Sequence, residues 1–544
     1  MKPTRAQHAA IHTVNRNLIV MAGAGSGKTR VLVERYLRLL REHPDWSLNA
    51  LVAITFTQKA AQEMRDRVRM ALQTALSQAA DERSQALWAG RIAAMDSARI
   101  DTIHALCASI LRANAAEAKV DPGFSVLDEI EATILLDDVI DGVLRDLRAE
   151  AVLFREYEAS AIRAALKLFA KQEPAPLPAD LLGAWRSAWL KSADGFLTAL
   201  RHDPEWESAL HYLPAEGYPV GDDKLIPAWK TFLQVRVDLL VDDFERFGTA
   251  LSQLANLKNV HVGKADGWGG KTELEAARAA LKCCRQAGER FVAEIGEPPG
   301  ALDEQAARFL PLWFGLIDRV RMAYRAAKAD RAVLDFDDLE QETRRLLQNP
   351  EVAARYRGAE FQHVLVDEFQ DTNAAQWEIV KAVADPAIPG CLFVVGDAKQ
   401  SIYQFRGADV SVFDAVQAEI TAAGGEKIDM ARSFRTHKPL VEAFNALFSR
   451  LLIRDEQSPV RAYQITLEAA MEAERADMPS DAPPIELLLL DKAAEVDGDK
   501  LDATDRRAWE ARELARRIKD IVEVEQRMVF DKEARRLRPM QYGD

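Results

Sequence analysis

Residues 18–30 have the sequence LIVMAGAGSGKTR. The four apolar residues 18–21 have the length and type of a buried strand in a parallel sheet. Small residues fill positions 22–27, and backbone N–H groups free of bulky side chains can curl around phosphate oxygens. The next segment, VLVERYLRLL (31–40), predicts a helix whose N-terminus adds partial positive charge beneath a phosphate. The stretch therefore predicts a strand, a phosphate-binding loop and a helix, the first unit of an α/β fold.

The end of this loop supplies groups that can act on a nucleoside triphosphate. Lys28 can reach the β and γ phosphates, and the Thr29 hydroxyl can bind Mg²⁺. Ala22 stands where the stricter pattern has glycine, and alanine keeps the side chain small. The alternative is a glycine-rich turn that binds nothing, but the strand before it and the helix after it favour a nucleotide site. The candidate nucleotide-binding residues here are Ala22, Gly23, Ala24, Gly25, Ser26, Gly27, Lys28, Thr29 and Arg30.

A second strand places two carboxylates where a triphosphate would need them. Residues 361–373 have the sequence FQHVLVDEFQDTN, in which 363–366 predict an apolar strand followed directly by Asp367 and Glu368. The carboxyl edge of a parallel sheet faces the ligand crevice. Asp367 can hold Mg²⁺, and Glu368 can orient and deprotonate the water that attacks ATP. An isolated Asp-Glu pair is usually a solvated strand end, but the flanking sequence favours the catalytic role.

Composition and charge limit the remaining possibilities. The chain has 544 residues, too many for one hydrophobic core, and is 48% hydrophobic and 29% charged. No segment approaches the roughly 20 apolar residues that cross a bilayer, so no membrane partner is expected. Four scattered cysteines fit a reducing cytoplasm. The net charge of −14 excludes a protein that is basic all over, although a local basic patch can still bind nucleic acid.

Seven sequence blocks together resemble superfamily 1 DNA helicases of the UvrD/Rep type, and they occur in that family's order between about residues 4 and 445. The large insertion and DPGFSVLDE (121–129) are similar to the RecB/AddA helicase–nuclease branch. The resemblance implies an ATP-dependent DNA helicase that moves 3′ to 5′ on single-stranded DNA in repair or recombination. The blocks are AGAGSGKT (22–29), ITFTQKAAQEMRDRV (54–68), TIHALC (102–107), LDFDDL (334–339), DEFQDTN (367–373), GDAKQSIYQFRGAD (396–409) and SFRTH (433–437).

The resemblance implies four further residues at the nucleotide. Gln7 would select adenine, since a primary amide donates and accepts together; without this context a surface glutamine is the better interpretation. Gln400 would sense the γ-phosphate and couple hydrolysis to movement. Arg435 would contact the γ-phosphate with a planar fork that stays charged. Phe434 would stack on the adenine, where relatives often have tyrosine.

The resemblance also implies a track for single-stranded DNA, which needs aromatic rings for bases and cations for phosphates. Phe56 and Phe405 are the candidate stacking residues, and relatives often have tryptophan at the second position. Arg406 would hold a DNA phosphate. Thr102 and His104 could bond the sugar–phosphate backbone, although a lone histidine is often a packed structural residue. We interpret Tyr403, in the same block as Phe405, as a packing residue.

Two charged segments leave alternatives open. Helix 58–74 carries Arg65 and Arg69 on one face at i, i+4, either as a solvated face or as a cationic wall beside DNA. The block LDFDDL has three aspartates, which suggest a second metal site. We favour a helix start instead, with Asp335 near the N-cap and both apolar residues, Phe336 and Leu339, facing inward.

Strand and helix signals alternate up to residue 112 and resume near 361, which predicts a doubly wound sheet; the stretch between them has helical patterns. We expect a RecA-like P-loop NTPase domain with helices on both faces of a parallel sheet and a large all-helical insertion. A strand at 484–490 and a helix at 509–524 predict the start of a second RecA-like domain. The expected segments are 1–120 and 331–432 for the first motor domain, 121–330 for the insertion and 433–544 for the second motor domain.

The later family blocks, with a further ATP-side arginine and DNA contacts, are not in these residues, nor is a nuclease domain. We therefore expect an N-terminal fragment with weak or negligible ATP turnover by itself. The expected partners are single-stranded DNA, junctions of single- and double-stranded DNA and a helicase–nuclease partner subunit, in the bacterial cytoplasm. The alternatives are a non-catalytic nucleotide- and DNA-binding platform and a signalling NTPase without nucleic acid. QSIYQFRGAD (400–409) argues against the second alternative.

Overall fold

The computed structural model describes residues 2–172, 176–453, 464–467, 469–475, 485–489, 502–531 and 536–544, without the side chains of Arg406 and Phe530. The chain divides into two compact units. The first unit consists of Met1–Val126 and Leu334–Asp544, and the second of Leu127–Val333. In the described part of the chain, none of the helices is long and apolar enough to cross a membrane.

The elements follow one another along three stretches of chain. The first holds α1 (Arg5–His12), β1 (Leu18–Ala22), α2 (Lys28–Glu42), β2 (Leu51–Thr55), α3 (Gln58–Ser77), α4 (Glu82–Ala93), β3 (Arg99–Thr102), α5 (Ile103–Ala113), α6 (Ala115–Ala118) and β4 (Ser125–Val126). The second holds α7 (Glu129–Arg145), α8 (Leu153–Glu156), α9 (Ala159–Phe169), α10 (Leu181–Arg201), α11 (Pro204–His211), α12 (Ile226–Leu239), α13 (Phe244–Ala255), α14 (Lys271–Glu294) and α15 (Ala301–Asp330). The third holds β5 (Val333–Leu334), α16 (Phe336–Leu347), α17 (Pro350–Tyr356), β6 (His363–Val366), α18 (Ala374–Val383), β7 (Leu392–Gly396), α19 (Val410–Ala422), β8 (Glu426–Met430), β9 (Arg432–His437), α20 (Lys438–Leu451), β10 (Glu472–Arg475), α21 (Ala503–Lys519), β11 (Met528–Asp531) and β12 (Arg536–Pro539).

Six strands form the sheet of the first unit, in the order β3-β2-β6-β7-β1-β8. Every neighbouring pair is parallel. The carboxyl ends of β1, β6, β7, β2 and β3 therefore meet at one edge. The segments that follow those ends are the blocks singled out in the sequence, so the topology gathers them along one edge of the sheet.

Helices cover both faces of this sheet because its strands alternate their side chains between two cores. In β1, Ile19 joins a cluster with residues of α5, α16, α18 and α19, whereas Leu18 and Val20 join one with residues of α1–α4. In β2, Val52 and Leu51 divide in the same way. The predicted RecA-like α/β fold with helices on both faces is confirmed.

A buried arginine attaches α1 to this sheet. The Arg35 guanidinium donates to the carbonyl oxygens of Ala10 and Thr13, both at 2.8 Å, and lies 4.6 Å from the centre of the Phe393 ring. Its Nε faces Nε2 of His363, whose Nδ1 lies 2.7 Å from the Gly390 carbonyl oxygen. That carbonyl accepts, so Nδ1 carries the proton and Nε2 can accept from the arginine. Arg35 thus fixes the C-terminal end of the helix that carries Gln7.

The second unit is helical throughout its described elements, as predicted for the insertion. It contains two hydrophobic clusters of its own. One is formed by α10–α14 around Trp206, Trp229 and Trp268, which are buried. The other is formed by α7–α9 and α15 and includes Leu316 and Tyr324.

Three local predictions need correction or comment. Phe336 does not face inward: it is 40% exposed, whereas Leu339 is buried, because Phe336 is the first residue of α16 and packs on the His104 ring. Asp335 is the N-cap of α16, as expected.

Residues 485–489 do not form a strand, and the ends of the predicted strand, 484 and 490, lie outside the described residues. The predicted helix 509–524 begins earlier, as α21, and ends in a π-helical turn, Asp520–Val524.

Candidate nucleotide-binding site

The phosphate loop leaves β1 and enters α2 with two glycines in the left-handed region. Gly25 has φ +74° and Gly27 has φ +86°, values that side chains rarely allow. Gly27 caps α2 without a side-chain hydrogen bond, so the first N–H groups of the helix receive no such cap. The buried Ser26 hydroxyl has no hydrogen-bond partner among the described residues. Glycine geometry, uncapped amides and an orphaned hydroxyl are suited to an anionic ligand.

Lys28 and Glu368 meet at the carboxyl edge of the sheet, although 340 positions separate them in sequence. Lys28 Nζ lies 2.5 Å from Glu368 Oε2, and the lysine side chain is only 12% exposed. Glu368 has φ +50°, which is uncommon for a residue with a side chain. Its N–H donates to Asp367 Oδ1 at 2.9 Å. With this backbone angle the Glu368 carboxylate contacts the lysine beside the phosphate loop, and Asp367 lies within reach of the lysine charge.

Gln370 connects this pair to the neighbouring strand. Its Nε2 donates to Glu368 Oε2 at 2.9 Å and to Asp371 Oδ2 at 3.2 Å. Its Oε1 accepts from the backbone N–H of Asp397, which follows β7, at 2.9 Å. We did not assign Gln370 from the sequence, although it lies inside the quoted block DEFQDTN. Its place in that block could have indicated a role at the site, but its bond to Asp397 depends on the order of the strands in the sheet.

Two carboxyl groups of this cluster hold protons more tightly than usual. Burial, with the nearby charge of Glu368, raises the pKa of Asp367 to about 6. The same two causes, in the same order, raise the pKa of Asp371 to about 6. The charge of Lys28 lowers both pKa values and only partly offsets these effects. Such a cluster would be stabilised by an additional cation.

Magnesium fits the donors that this edge offers. Thr29 lies in the first turn of α2 and Asp367 directly follows β6. Within the part of the chain that the structure describes, no group of three or more histidine, cysteine, aspartate or glutamate residues is arranged to hold a metal. Mg²⁺ typically uses one or two protein oxygens, with water and substrate phosphates completing its octahedron. Thr29 and Asp367 would therefore be sufficient protein ligands.

Strand β9 lies directly over the phosphate loop. The backbone N–H of Phe434 donates to the Gly25 carbonyl oxygen at 2.8 Å. A Cβ atom added at Gly25 would come within 2.6 Å of the Arg435 Cβ, so only glycine fits beneath this strand. The Arg435 side chain is exposed and that of Phe434 half-buried. The structure therefore brings both residues to the loop, and their roles at the nucleotide stay predictions.

Gln7 is engaged within the protein rather than presented on the surface. It is 3% exposed, its Nε2 donates to the Ser26 carbonyl oxygen at 2.8 Å, and its Oε1 accepts from the Thr4 N–H at 3.0 Å. The glutamine thus closes a capping box at the start of α1 and braces the phosphate loop. Selection of adenine by Gln7 remains a prediction. It would use the second N–H of the side-chain amide and the second lone pair of Oε1.

Gln400 lies in a short turn after β7. Its Nε2 donates to Asp397 Oδ2 at 2.7 Å, and its backbone N–H donates to the Asp397 carbonyl oxygen at 2.8 Å. The Asp397 N–H donates to Gln370 Oε1, so both glutamines form hydrogen bonds with Asp397. The γ-phosphate-sensing role of Gln400 stays a prediction.

Aromatic side chains follow the strand ends further along the edge. The Phe56 and Tyr403 rings are 4.6 Å apart, and those of Tyr403 and Phe405 are 5.8 Å apart. Phe405 is 78% exposed. Tyr403 thus lies between the two predicted stacking residues. The side chain of Arg406 lies outside what the structure describes.

Thr102 and His104 stand at the end of β3, but both take part in contacts inside the protein. Thr102 is buried, and its hydroxyl caps α5 by accepting from the Ala105 N–H. His104 Nε2 lies 3.0 Å from Glu340 Oε1. Glu340 follows LDFDDL directly and was not singled out from the sequence. DNA contact by either residue stays a prediction.

The arginines of α3 are paired with acidic groups. Arg65 donates to Asp101 Oδ2 at 2.6 Å and to the Ile100 carbonyl oxygen at 2.9 Å. Arg69 lies 3.7 Å from Asp96. These pairs favour the structural interpretation of this helix face over a cationic wall.

Comparison with known proteins adds family information to this geometry. The family described as UvrD/REP helicase N-terminal domain matches residues 3–193 and 314–421. Proteins named as AddA-type subunits of ATP-dependent helicase/nucleases are similar over 99% of this chain and 46% of their own length. The identity is 27% for Listeria monocytogenes, 30% for Levilactobacillus brevis and 27% for Bacillus licheniformis. The chain thus spans about half the length of these curated relatives, and the predicted similarity to the RecB/AddA branch is confirmed.

Proposed function

Because the chain belongs to the UvrD/REP helicase N-terminal domain family, we propose that it binds Mg-ATP at the carboxyl edge of its sheet and couples this binding to single-stranded DNA. The observation that carries the proposal is the 2.5 Å contact between Lys28 and Glu368 beside the phosphate loop. A lysine from the first strand–helix unit and a carboxylate from a distant one are the pair that ATP hydrolysis requires.

The residues would divide the work on ATP as follows. Amides of residues 25–30 would surround the phosphates, and Lys28 would exchange Glu368 for the β and γ phosphate oxygens. Released from the lysine, Glu368 would orient the attacking water and accept its proton. Gln370 would keep the Glu368 carboxylate in place during this exchange. A bound Mg²⁺ would neutralise phosphate charge.

The DNA would follow the aromatic run at the other strand ends. Phe56 and Phe405 would stack bases, and Tyr403, between them, would extend the stacking surface. We infer movement in the 3′ to 5′ direction from the family resemblance. Movement in this direction should displace streptavidin from the 5′ end of biotinylated single-stranded DNA faster than from its 3′ end.

The relatives are named as helicase/nuclease subunits, and this name supports a role beside a partner protein in DNA repair or recombination. Location in the cytoplasm is part of the same proposal and is supported by the four free cysteines. For the 544-residue polypeptide by itself we propose nucleotide binding with slow turnover. An arginine that completes a phosphoryl-transfer site contributes roughly 10³- to 10⁵-fold in rate, and Arg435 is exposed here.

Substitution of Lys28 by alanine tests the nucleotide site. Lys28→Ala should weaken Mg-ATP binding at least about ten-fold, the cost of roughly 1.4 kcal/mol or more for a lost charge-assisted contact. Isothermal titration calorimetry gives the affinity, and circular dichroism checks the fold. The matched control is Lys271→Ala, which removes an exposed lysine of the second unit. Unchanged ATP affinity in Lys28→Ala would contradict the site, and fast DNA-stimulated hydrolysis by the wild-type polypeptide would contradict slow turnover.

A further inference from the structure

Helix α16 packs against two helices that begin at different blocks of the sequence. Helix α5 begins inside TIHALC, a block with predicted DNA contacts, and α18 begins directly after DEFQDTN, a block of the nucleotide site. Glu340, in the second turn of α16, faces side chains from both. A single carboxylate therefore contacts side chains from both blocks.

Three donors converge on the Glu340 carboxylate. His104 Nε2 lies 3.0 Å from Oε1, Gln376 Nε2 donates to Oε1 at 2.6 Å, and Asn373 Nδ2 donates to Oε2 at 3.1 Å. A carboxylate only accepts, so the proton of His104 lies on Nε2. Burial alone would raise the pKa of Glu340, but the hydrogen bonds from His104 and Gln376 outweigh it and lower that pKa. Glu340 is therefore a charged acceptor, and only 13% of its side chain is exposed.

On the nucleotide side, this contact holds the start of α18. Asn373 and Gln376 form the capping box of that helix, and Glu340 binds the side-chain amides of both. The same stretch of chain contains Glu368, five residues before Asn373, and Gln370, which bonds the Glu368 carboxylate. A shift of the α18 start would therefore move the segment that carries the water-orienting glutamate.

On the DNA side, Glu340 fixes the ring of His104. The ring is further held by Phe336, whose ring centre lies 4.6 Å away. His104 is a candidate contact to the DNA backbone. A DNA strand that binds His104 would thus change the hydrogen bonding of Glu340.

We propose that Glu340 is a positioning residue that couples single-stranded DNA binding to nucleotide binding through His104 on one side and Asn373 and Gln376 on the other. This inference rests on the proposed function. Coupling of this kind is a free energy shared between two sites, so each ligand must change the affinity of the other by the same factor. A purely structural Glu340 would change stability and leave that factor intact.

The coupling factor is measured on the 544-residue chain. Fluorescence anisotropy gives the Kd of an oligothymidylate of about 20 nucleotides, with and without a saturating non-hydrolysable Mg-ATP analogue. Calorimetry gives the Kd of the analogue with and without the oligonucleotide. For the wild type we expect the two ratios to agree and to be about five-fold or more.

Glu340→Gln keeps the shape of the side chain but must turn an NH₂ group toward at least one donor. We expect its coupling factor to fall below about two-fold, in both titrations. Glu378→Gln is the matched control, because this glutamate is an exposed residue on α18, 3.7 Å from Arg344. It should keep the wild-type factor. His104→Phe, which removes the N–H donor and keeps a ring beside Phe336, tests the same link from the DNA side and should also lower the factor.

The outcomes separate this inference from the proposed function. If the wild type shows the coupling but Glu340→Gln and His104→Phe keep its factor, the coupling role of Glu340 is wrong and the proposed function stands. If the wild type binds neither ligand, or binds both without mutual effect, the proposed function itself is wrong. Thermal unfolding monitors each variant, and a variant that does not fold is replaced by the other in the comparison.

Discussion

At the scale of single residues, the most informative position is Gln7, whose amide already holds the phosphate loop and the start of α1. If it also selects adenine, Gln7→Ala should weaken ATP binding about five- to ten-fold more than it weakens GTP binding, the worth of one hydrogen bond of about 1 kcal/mol. Calorimetric titrations with both nucleotides measure this. The control is Gln62→Ala, on the exposed face of α3. Equal losses for ATP and GTP would show that Gln7 only braces the loop.

Asp371 allows a prediction about pH. The folded state raises the pKa of Asp371 from 3.8 to about 6, so it binds more protons than the unfolded state between these values. The unfavourable contribution is therefore absent below about pH 4 and complete above about pH 6. Asp371→Asn removes it, so the free energy of unfolding of the variant relative to wild type should increase from pH 4 to pH 7.

The expected increase is about 1 kcal/mol. Two pKa units would correspond to about 2.7 kcal/mol, and we reduce this because a fairly high effective dielectric constant applies even to a buried group such as Asp371. Thermal unfolding without nucleotide or magnesium, at several pH values, provides the comparison. A constant difference between the two proteins across this range would contradict the raised pKa.

The sequence was sufficient for the residues whose chemistry is written in a short block. Lys28 and Glu368 were predicted to converge because the phosphate loop and the Asp367-Glu368 pair each follow a parallel strand, and the structure places the two side chains in contact. Gln370 and Glu340 were not assigned, because the bond of Gln370 to Asp397 and all the partners of Glu340 join different elements and are determined by packing. Asp397, for example, meets Gln370 only because β6 and β7 are neighbours.

At the scale of elements, the block LDFDDL separates two interpretations of an acidic cluster. The Asp335 carboxylate accepts from the Asp338 N–H at 2.9 Å, and the Asp338 carboxylate accepts from the Asp335 N–H at 3.0 Å. We expect Asp335→Ala to lower the free energy of unfolding by about 1 to 2 kcal/mol, as for other lost N-caps. Asp138→Ala, at an exposed position in the middle of α7, is the control and should change it by less than about 0.5 kcal/mol.

Divalent cations distinguish the cap from a metal site. With a cap alone, added Mg²⁺ or Mn²⁺ should leave the difference in unfolding temperature between Asp335→Ala and wild type unchanged. A metal-dependent difference would support the rejected interpretation.

Element ends were also where sequence analysis failed. Phe336 belongs to an apolar pattern, but as the first residue of α16 it points to the histidine at the edge and remains partly exposed. Residues 485–489 are apolar enough for a strand, yet no strand forms there. Apolar pattern alone does not supply the pairing partner that a strand requires.

At the scale of the whole molecule, the alternation of strand and helix signals predicted the sheet, and the loss of strand signals predicted the helical insertion. Strand order was not predicted: β8 pairs with β1 and β3 lies at the opposite edge, an arrangement that local sequence does not encode. The order decides which blocks are neighbours, and with it the contacts of Gln370 and Tyr403. Side-chain networks between blocks therefore had to come from the structure.

The second unit supports a prediction about independent folding, because both of its hydrophobic clusters contain only residues of Leu127–Val333. A polypeptide of residues 127–333 should be helical and unfold cooperatively, as expected of a unit with its own core. Circular dichroism and differential scanning calorimetry measure both properties. The control polypeptide, residues 127–300, lacks α15, which supplies Leu316, Val320 and Tyr324 to one cluster, and should lose cooperativity in that part. A broad, non-cooperative transition of 127–333 would mean that its cores depend on the first unit for stability.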